Sequence, residues 1–457
     1  MIRLAYSSLR RDTRAVVAPF LLLTVAAVLL SIALHFLWST ITPEGSAAID
    51  AAPSGTAGAL TSLAIVLIVL GLGVPITVTA SIVSSLAIRE SEGVYASWRL
   101  AGASPRQVRK TVRIRSFLVA FIAALIGYAL SLPFLQAAVT YLVSSTDIPV
   151  DVRVTLGIVP FAALVAILCL LTGLGSLRPA KRASTVKPAV LFSERLVAVR
   201  HARARWILSA VFALATIGLG VLALGTDQAS DRAMQAIFAG FSLIAFVTLG
   251  APWLLPPLTA LWTRAISENR VPTWYLARRY VLGRLGSTTA AVVPLMIAAS
   301  MIGVYFSVVS TWESALGREL SGGSANTVQG LILFGPGAVL ATIAATCNLF
   351  TTGTGRERYE GSLRAAGTPR SMSRTAGLLE AAIYAMTALI LSVLVSAFAS
   401  LMIGMPVALT GGGFHFVVNV WVIALTVLIG FIPLAVSIRL PAVAASRKSL
   451  GTVLAPR

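Results

Sequence analysis

The chain has 457 residues, of which 57% are hydrophobic and only 11% charged, with a mean hydropathy of +0.89. Soluble domains carry about 25% charged residues, so this composition excludes a soluble globular protein and indicates a chain that crosses a membrane many times. The net charge of +20 is distributed in short stretches at alternate ends of the apolar runs, which is a topology signal rather than a nucleic-acid surface.

A helix that crosses the hydrocarbon needs roughly 20 apolar residues, and about ten runs meet that length. In chain order the predicted helices cover residues 16–38, 59–88, 116–142, 154–176, 206–225, 233–263, 287–310, 328–351, 376–404 and 416–438. The first follows a basic arm with Arg3, Arg10, Arg11 and Arg14, in the manner of a secretory signal. Its apolar run exceeds the usual 7–15-residue core of such signals and shows no small-x-small cleavage site, so it reads as a transmembrane helix. Pro75, after Gly71 and Gly73, predicts a kink in the second helix, and Pro336, between Gly335 and Gly337, predicts one in the eighth.

Placing the N-terminus in the cytoplasm leaves only Arg153, Arg232 and Arg318 outside, out of 36 Lys and Arg, together with half of the 16 acidic residues. The positive-inside rule therefore puts both termini and the longer basic loops in the cytoplasm.

One of those loops, residues 89–115, has a second copy at 356–374. A shift of 265 positions pairs Glu92 with Glu357, Ser97 with Ser362, Arg99 with Arg364, Gly102 with Gly367 and Arg109 with Arg374. Gly102 and Pro105 predict a short helix ending at the glycine, a turn, and the rise of the next helix. Leu276 and Ala277, followed by Arg278 and Arg279, echo Leu4 and Ala5 followed by Arg10 and Arg11. The chain thus divides into a four-helix half (1–200), an inserted two-helix hairpin (201–265) and a second four-helix half (266–457). With an even number of spans before it, the second half has the orientation of the first, giving a parallel repeat about an axis along the membrane normal. Cytoplasmic topology alone accounts for the basic residues of the loop. It does not account for Glu, Ser, Arg and Ala-Gly recurring at one spacing, which favours a docking surface used twice.

The stretch ESEGVYASWRLAGASPRQVRKTVRIRSFLVAFIAALIGYALSL resembles the FtsX-like permease domain of ABC transporters, whose core runs roughly Arg-Glu, then Leu-Arg-Ala-Leu-Gly-Ala-Ser-x-x-Gln and a long helix. The copy ERYEGSLRAAGTPRSMSRTAGLLEAAIYAMTALILSVLVS is a more divergent match, with Leu378–Ala381 fitting the family's helix start. The resemblance implies that these segments are coupling helices seated in a groove of the ATPase. It assigns that role to Glu92, Ser97, Arg99 and Gly102 and to Glu357, Ser362, Arg364 and Gly367. The ten-helix layout is similar to that of bacitracin-export-type permeases, but the loop 311–329 stands where those carry a large extracellular domain.

No Gly-Lys dipeptide occurs, so the phosphate-binding loop GxxxxGK[ST] is absent. ATP and Mg would enter only through a partner, and two docking segments imply two ATPase subunits. Cys169 and Cys347 lie in separate apolar runs, and His35, His201 and His415 are isolated, so no metal or catalytic constellation is expected. His35, Trp38, Asn348, Glu380 and Asn419 are the few polar or amphipathic residues within the spans. Glu380 is accounted for by the preference for acidic residues at helix N-termini, and the scarcity of charge disfavours an ion-coupled carrier. The sequence thus reads as an all-α polytopic permease subunit of the bacterial cell membrane. It would export or extract an amphiphilic substrate, such as a lipid, a hydrophobic antibiotic or a peptide, with antibiotic resistance as one outcome. The alternative is an ATP-driven mechanotransmission subunit that activates a cell-wall enzyme or a sensor kinase.

Overall fold

In a computed structural model the described residues are 13–43, 56–73, 75–77, 92–144, 152–184, 202–226, 229–266, 271–316, 323–351, 361, 363, 365–409 and 413–447, and none of them is in a strand. The helices are α1 (Thr13–Ile41), α2 (Thr56–Val66), α3 (Glu92–Leu100), α4 (Pro105–Ser131), α5 (Leu135–Ser144), α6 (Ile158–Ser184) and α7 (Ala202–Gly225). They continue with α8 (Ala229–Thr263), α9 (Pro272–Gly283), α10 (Leu285–Leu316), α11 (Gly323–Thr351), α12 (Arg370–Leu409) and α13 (Val420–Arg447). Among the described residues, ten stretches are long and apolar enough to cross a membrane, one for each predicted span. The protein is an all-α polytopic membrane protein.

The chain forms two compact units. The first holds residues 1–198 and 324–340, the second 199–323 and 341–457. The hairpin α7–α8 therefore clusters with the second unit, and α11 is shared between the two.

Within the first unit α1 crosses α4 at small residues. Ala120, Ala123, Ala124 and Gly127 of α4 are buried against α1, and a Cβ on Gly127 would overlap Ala27 and stand 2.8 Å from the Thr24 carbonyl oxygen. Ser131 Oγ donates to Ser31 Oγ at 2.8 Å across the same crossing. α2 continues as a π-helix over Leu67–Gly73, ahead of Pro75. There Gly71 meets Gly337 of α11 so closely that a Cβ on either would overlap the backbone of the other helix. The helix continues unbroken through Pro336.

The second unit repeats these devices. Ser300 Oγ of α10 donates to Ser392 Oγ of α12 at 3.1 Å, and a Cβ on Gly303 would overlap Ile423 and Ser396. Asn348 Nδ2 of α11 donates to the Ala290 carbonyl at 2.9 Å. Extended segments also precede α6 in the first unit and α13 in the second, where backbone groups lack helical partners and need others. In the first unit Thr155 N–H donates to Ser39 Oγ (3.0 Å), and Gln136 bridges Val152 and Val154. In the second, Val417 N–H donates to Thr311 Oγ1 (3.2 Å), its carbonyl accepts from Ser400 Oγ (2.9 Å), and Asn419 N–H donates to Ser307 Oγ (3.0 Å).

Two differences from the sequence reading have physical reasons. The apolar run predicts a helix from 116, yet α4 begins at Pro105. Arg, Lys and Gln are strong helix formers, so the helix continues past the end of the apolar region. Helix α9 lies between the predicted helices 233–263 and 287–310, where the sequence reading places no helix. Its stripe of Trp274, Ala277 and Val281, all buried, has helical spacing. Here Arg278 Nε donates to Thr263 Oγ1 (3.0 Å), and burial, with Arg264 and Arg279 nearby, lowers the Arg278 guanidinium pKa from its ordinary value.

Gly127→Leu is expected to push α1 and α4 apart, at a cost of about 1–3 kcal/mol. The midpoint of thermal unfolding in detergent should fall accordingly. Gly173→Leu, whose Cβ meets nothing within 4 Å, should leave it unchanged or raise it.

Candidate functional site

The repeated polar segment forms a short helix and a turn. α3 runs Glu92–Leu100, and its carbonyls at the C-terminal end are capped by the chain that leaves it. Gly102 N–H donates to the Arg99 carbonyl (3.1 Å) and Ala103 N–H to the Trp98 carbonyl (2.9 Å). This pair of bonds is the Schellman arrangement, which needs its penultimate residue in the left-handed region. Gly102 has φ of 92° there. A Cβ at Gly102 would meet nothing within 4 Å, so conformation rather than space calls for glycine.

The second copy has the same turn at the same 265-residue shift. Thr368 N–H donates to the Leu363 carbonyl (3.0 Å), and Gly367 has φ of 85° in open surroundings. The helices that follow start in register, α4 at Pro105 and α12 at Arg370. Val108 N–H donates to the Ser104 carbonyl, and Ser373 N–H donates to that of Pro369.

The caps of those helices differ. Ser104 Oγ accepts from Gln107 N–H (3.3 Å), and Gln107 Oε1 accepts from Ser104 N–H (2.8 Å), a capping box with Pro105 at the first helical position. In the second copy the residue in the place of Ser104 is Pro369, which has neither a hydroxyl nor an N–H to offer.

α3 is held down on one face. Tyr95 is buried with Val108 and Val112 of α4 and Ala180 of α6, and Trp98 and Ala103 pack against that cluster. Tyr95 and Trp98 meet edge to face with centroids 5.6 Å apart. This seats an isolated helix of nine residues, a length too short to be stable by itself. The opposite surface carries Ser97, Leu100, Ala101 and Gly102, all exposed, with Leu100 at 59%.

Of the residues predicted for this role, Ser97 and Gly102 lie on the exposed surface and Arg99 is half-buried. Glu92 opens α3, but its side chain lies outside the described residues, as do Glu357, Ser362 and Arg364. In the second copy Gly361 is buried, Leu363 half-buried, and Ala365, Ala366 and Gly367 exposed. Leu363 thus takes the place of Trp98 and Ala365 that of Leu100. The aromatic seat and Leu100 were not singled out from sequence. The helical spacing of Tyr95 and Trp98, facing Val108 and Val112 beyond the turn, carries that signal, and Ser-x-x-Gln at 104–107 announces the capping box.

The polar residues inside the spans are tied into the packing. His35 is fully buried, its Nδ1 2.8 Å from the Ser31 carbonyl and its ring stacked on Tyr128. Asn419 Nδ2 donates to Ser310 Oγ (2.7 Å) and to the Phe306 carbonyl (3.0 Å). Glu380 requires a correction. Because α12 begins at Arg370, Glu380 lies well beyond the first turn, where the favourable field at a helix N-terminus has faded. It is 3% exposed, and its Oε1 accepts from Tyr384 O–H at 2.7 Å, so it is a buried hydrogen-bonding group of the second unit.

Comparison with known proteins bears on the first copy. Residues 81–188, which contain α3 to α6, match the family model of the FtsX-like permease C-terminal domain. No curated protein matches the chain. An FtsX-like permease domain is the kind of membrane domain that works with ABC ATPase partners.

Gly102→Ala and Gly367→Ala should each strain the turn by about 1–2 kcal/mol. Gly102→Asn should cost less, since asparagine tolerates this region. Hydrogen exchange at the amides of Gly102 and Ala103 is expected to speed up in the alanine variant, and an unchanged rate would contradict the capping role.

Proposed function

We propose that the chain is the transmembrane permease subunit of an ABC transporter, driven by two separate ATPase subunits that dock on the two glycine-capped segments. The observation that carries this reading is the recurrence of one turn, with its left-handed glycine and exposed small residues, at the same spacing in both copies. The family match over residues 81–188 supports it. Nucleotide and Mg would be bound by the ATPases, in keeping with the lack of a phosphate-binding loop in this sequence, and the permease itself performs no chemistry.

In this reading the segments and both termini face the cytoplasm, which the distribution of Lys and Arg supports. Closure of the ATPases on ATP pushes on α3, whose seat joins it to α4 and α6. The force is thereby delivered to two long helices rather than to a loose loop. The substrate is an amphiphile, a lipid, hydrophobic antibiotic or peptide, that enters sideways from the bilayer and leaves toward the outer face. The short stretch between α10 and α11 supports lateral entry, because it offers no large external domain to receive a soluble substrate.

The test is purification of the chain from its native membrane with bound ATP-binding-cassette subunits identified by mass spectrometry and ATPase activity measured. Replacing Arg99 and Arg364 together by glutamate is expected to lower the co-purified activity at least about tenfold, the loss of charge-assisted contacts worth ~1.5–3 kcal/mol. A chain that transports an amphiphile in vesicles with no ATPase present would overturn the proposal.

A further inference from the structure

Adjoining the seat of α3, helices α4 and α6 leave an open cleft of about 520 Å³, within the ~300–1,000 Å³ range of small-molecule sites. Phe117 from α4 and Leu170, Leu174 and Leu177 from α6 form its apolar walls, each at least 40% exposed. Gly173 lines it too, with nothing within 4 Å of where its Cβ would stand. Among the described residues that line it, Arg113 is the cation, and it is exposed.

The two helices that line the cleft carry charge of one sign. Arg106, Arg109, Lys110 and Arg115 precede or follow Arg113 on α4, Lys181 extends from α6, and neither helix contains an acidic residue. The cleft lies at the C-terminal end of the span Ile158–Leu177 and, on α4, where the basic residues up to Arg115 give way to the apolar run. That is headgroup depth. Basic pockets between transmembrane helices at this level suit the phosphates of anionic lipids.

We propose that this cleft binds one anionic phospholipid of the leaflet on the α3 side, with an acyl chain between α4 and α6 and the phosphate on Arg113. Apolar walls alone would take any lipid tail, and basic side chains alone would take any phosphate. Their junction within one concave site selects a molecule that carries both. The proposal concerns the isolated chain and does not depend on an ATPase partner, so it stands or falls separately from the transport reading.

The test uses the purified full-length chain in detergent, with dioleoylphosphatidylglycerol, dioleoylphosphatidylcholine or inorganic phosphate added and retention read by native mass spectrometry. The chain should retain one phosphatidylglycerol in preference to phosphatidylcholine and no inorganic phosphate. Arg113→Gln should reduce that preference about fivefold or more, and Arg113→Lys should restore most of it. Gly173→Leu, whose Cβ meets nothing within 4 Å and whose side chain would occupy the cleft, should abolish retention of both lipids while the protein remains folded. An unchanged preference in Arg113→Gln, retention that persists in Gly173→Leu, or inorganic phosphate held as well as the lipid would overturn the proposal.

Discussion

Lipid as the solvent removes the force that holds most proteins together, because an apolar side chain gains little by leaving acyl chains for another helix. Attraction between helices must then come from close packing and from hydrogen bonds that lipid cannot supply. This chain places small and hydroxyl residues where its helices cross. Gly127 lets α4 lie against Thr24 and Ala27 of α1, and Gly303 lets α10 lie against Ser396 and Ile423. Serine pairs, Ser31 with Ser131 and Ser300 with Ser392, tie the same crossings in the two units. These contacts are directional and short-ranged, so they set where each helix meets its neighbour more strictly than oil-like burial would.

The same constraint governs where the chain may stop being helical. Extended backbone at 152–157 and 413–419 is tolerated because Ser, Thr and Gln side chains from neighbouring helices satisfy it. The turn after α3 is different in kind. It satisfies its own carbonyls through Gly102 and so needs nothing from a neighbouring helix.

The spans were legible in the sequence because hydropathy over about 20 residues is set by the bilayer itself. Helix ends were not, since the apolar run marks the membrane and the helix continues wherever residues such as Arg106, Gln107 and Lys110 favour it. The turn at Gly102 was readable from its glycine and the proline soon after it. Its seat was not, because Tyr95 meets Ala180 across 85 positions of sequence, a pairing that no local pattern encodes. Glu380 was misread for the same reason as the helix ends: its distance from the true start of α12 depends on where a polar helix begins outside the apolar run.

The divergence of the two copies separates what the segment needs from what it merely uses. In the places of Tyr95 and Trp98 of the aromatic seat the second copy has Glu360 and Leu363, exposed Leu100 becomes Ala365, and the capping serine becomes Pro369. Through these changes the left-handed glycine, the bond from the residue after it and the start of the next helix all keep their spacing. Side chains that anchor the segment can vary with the helices beneath, because each copy need only be held down somehow. Backbone geometry has no such freedom if two identical partners must fit two places on one chain. The repeated feature is therefore a shape, formed by a left-handed turn and bordered by small residues.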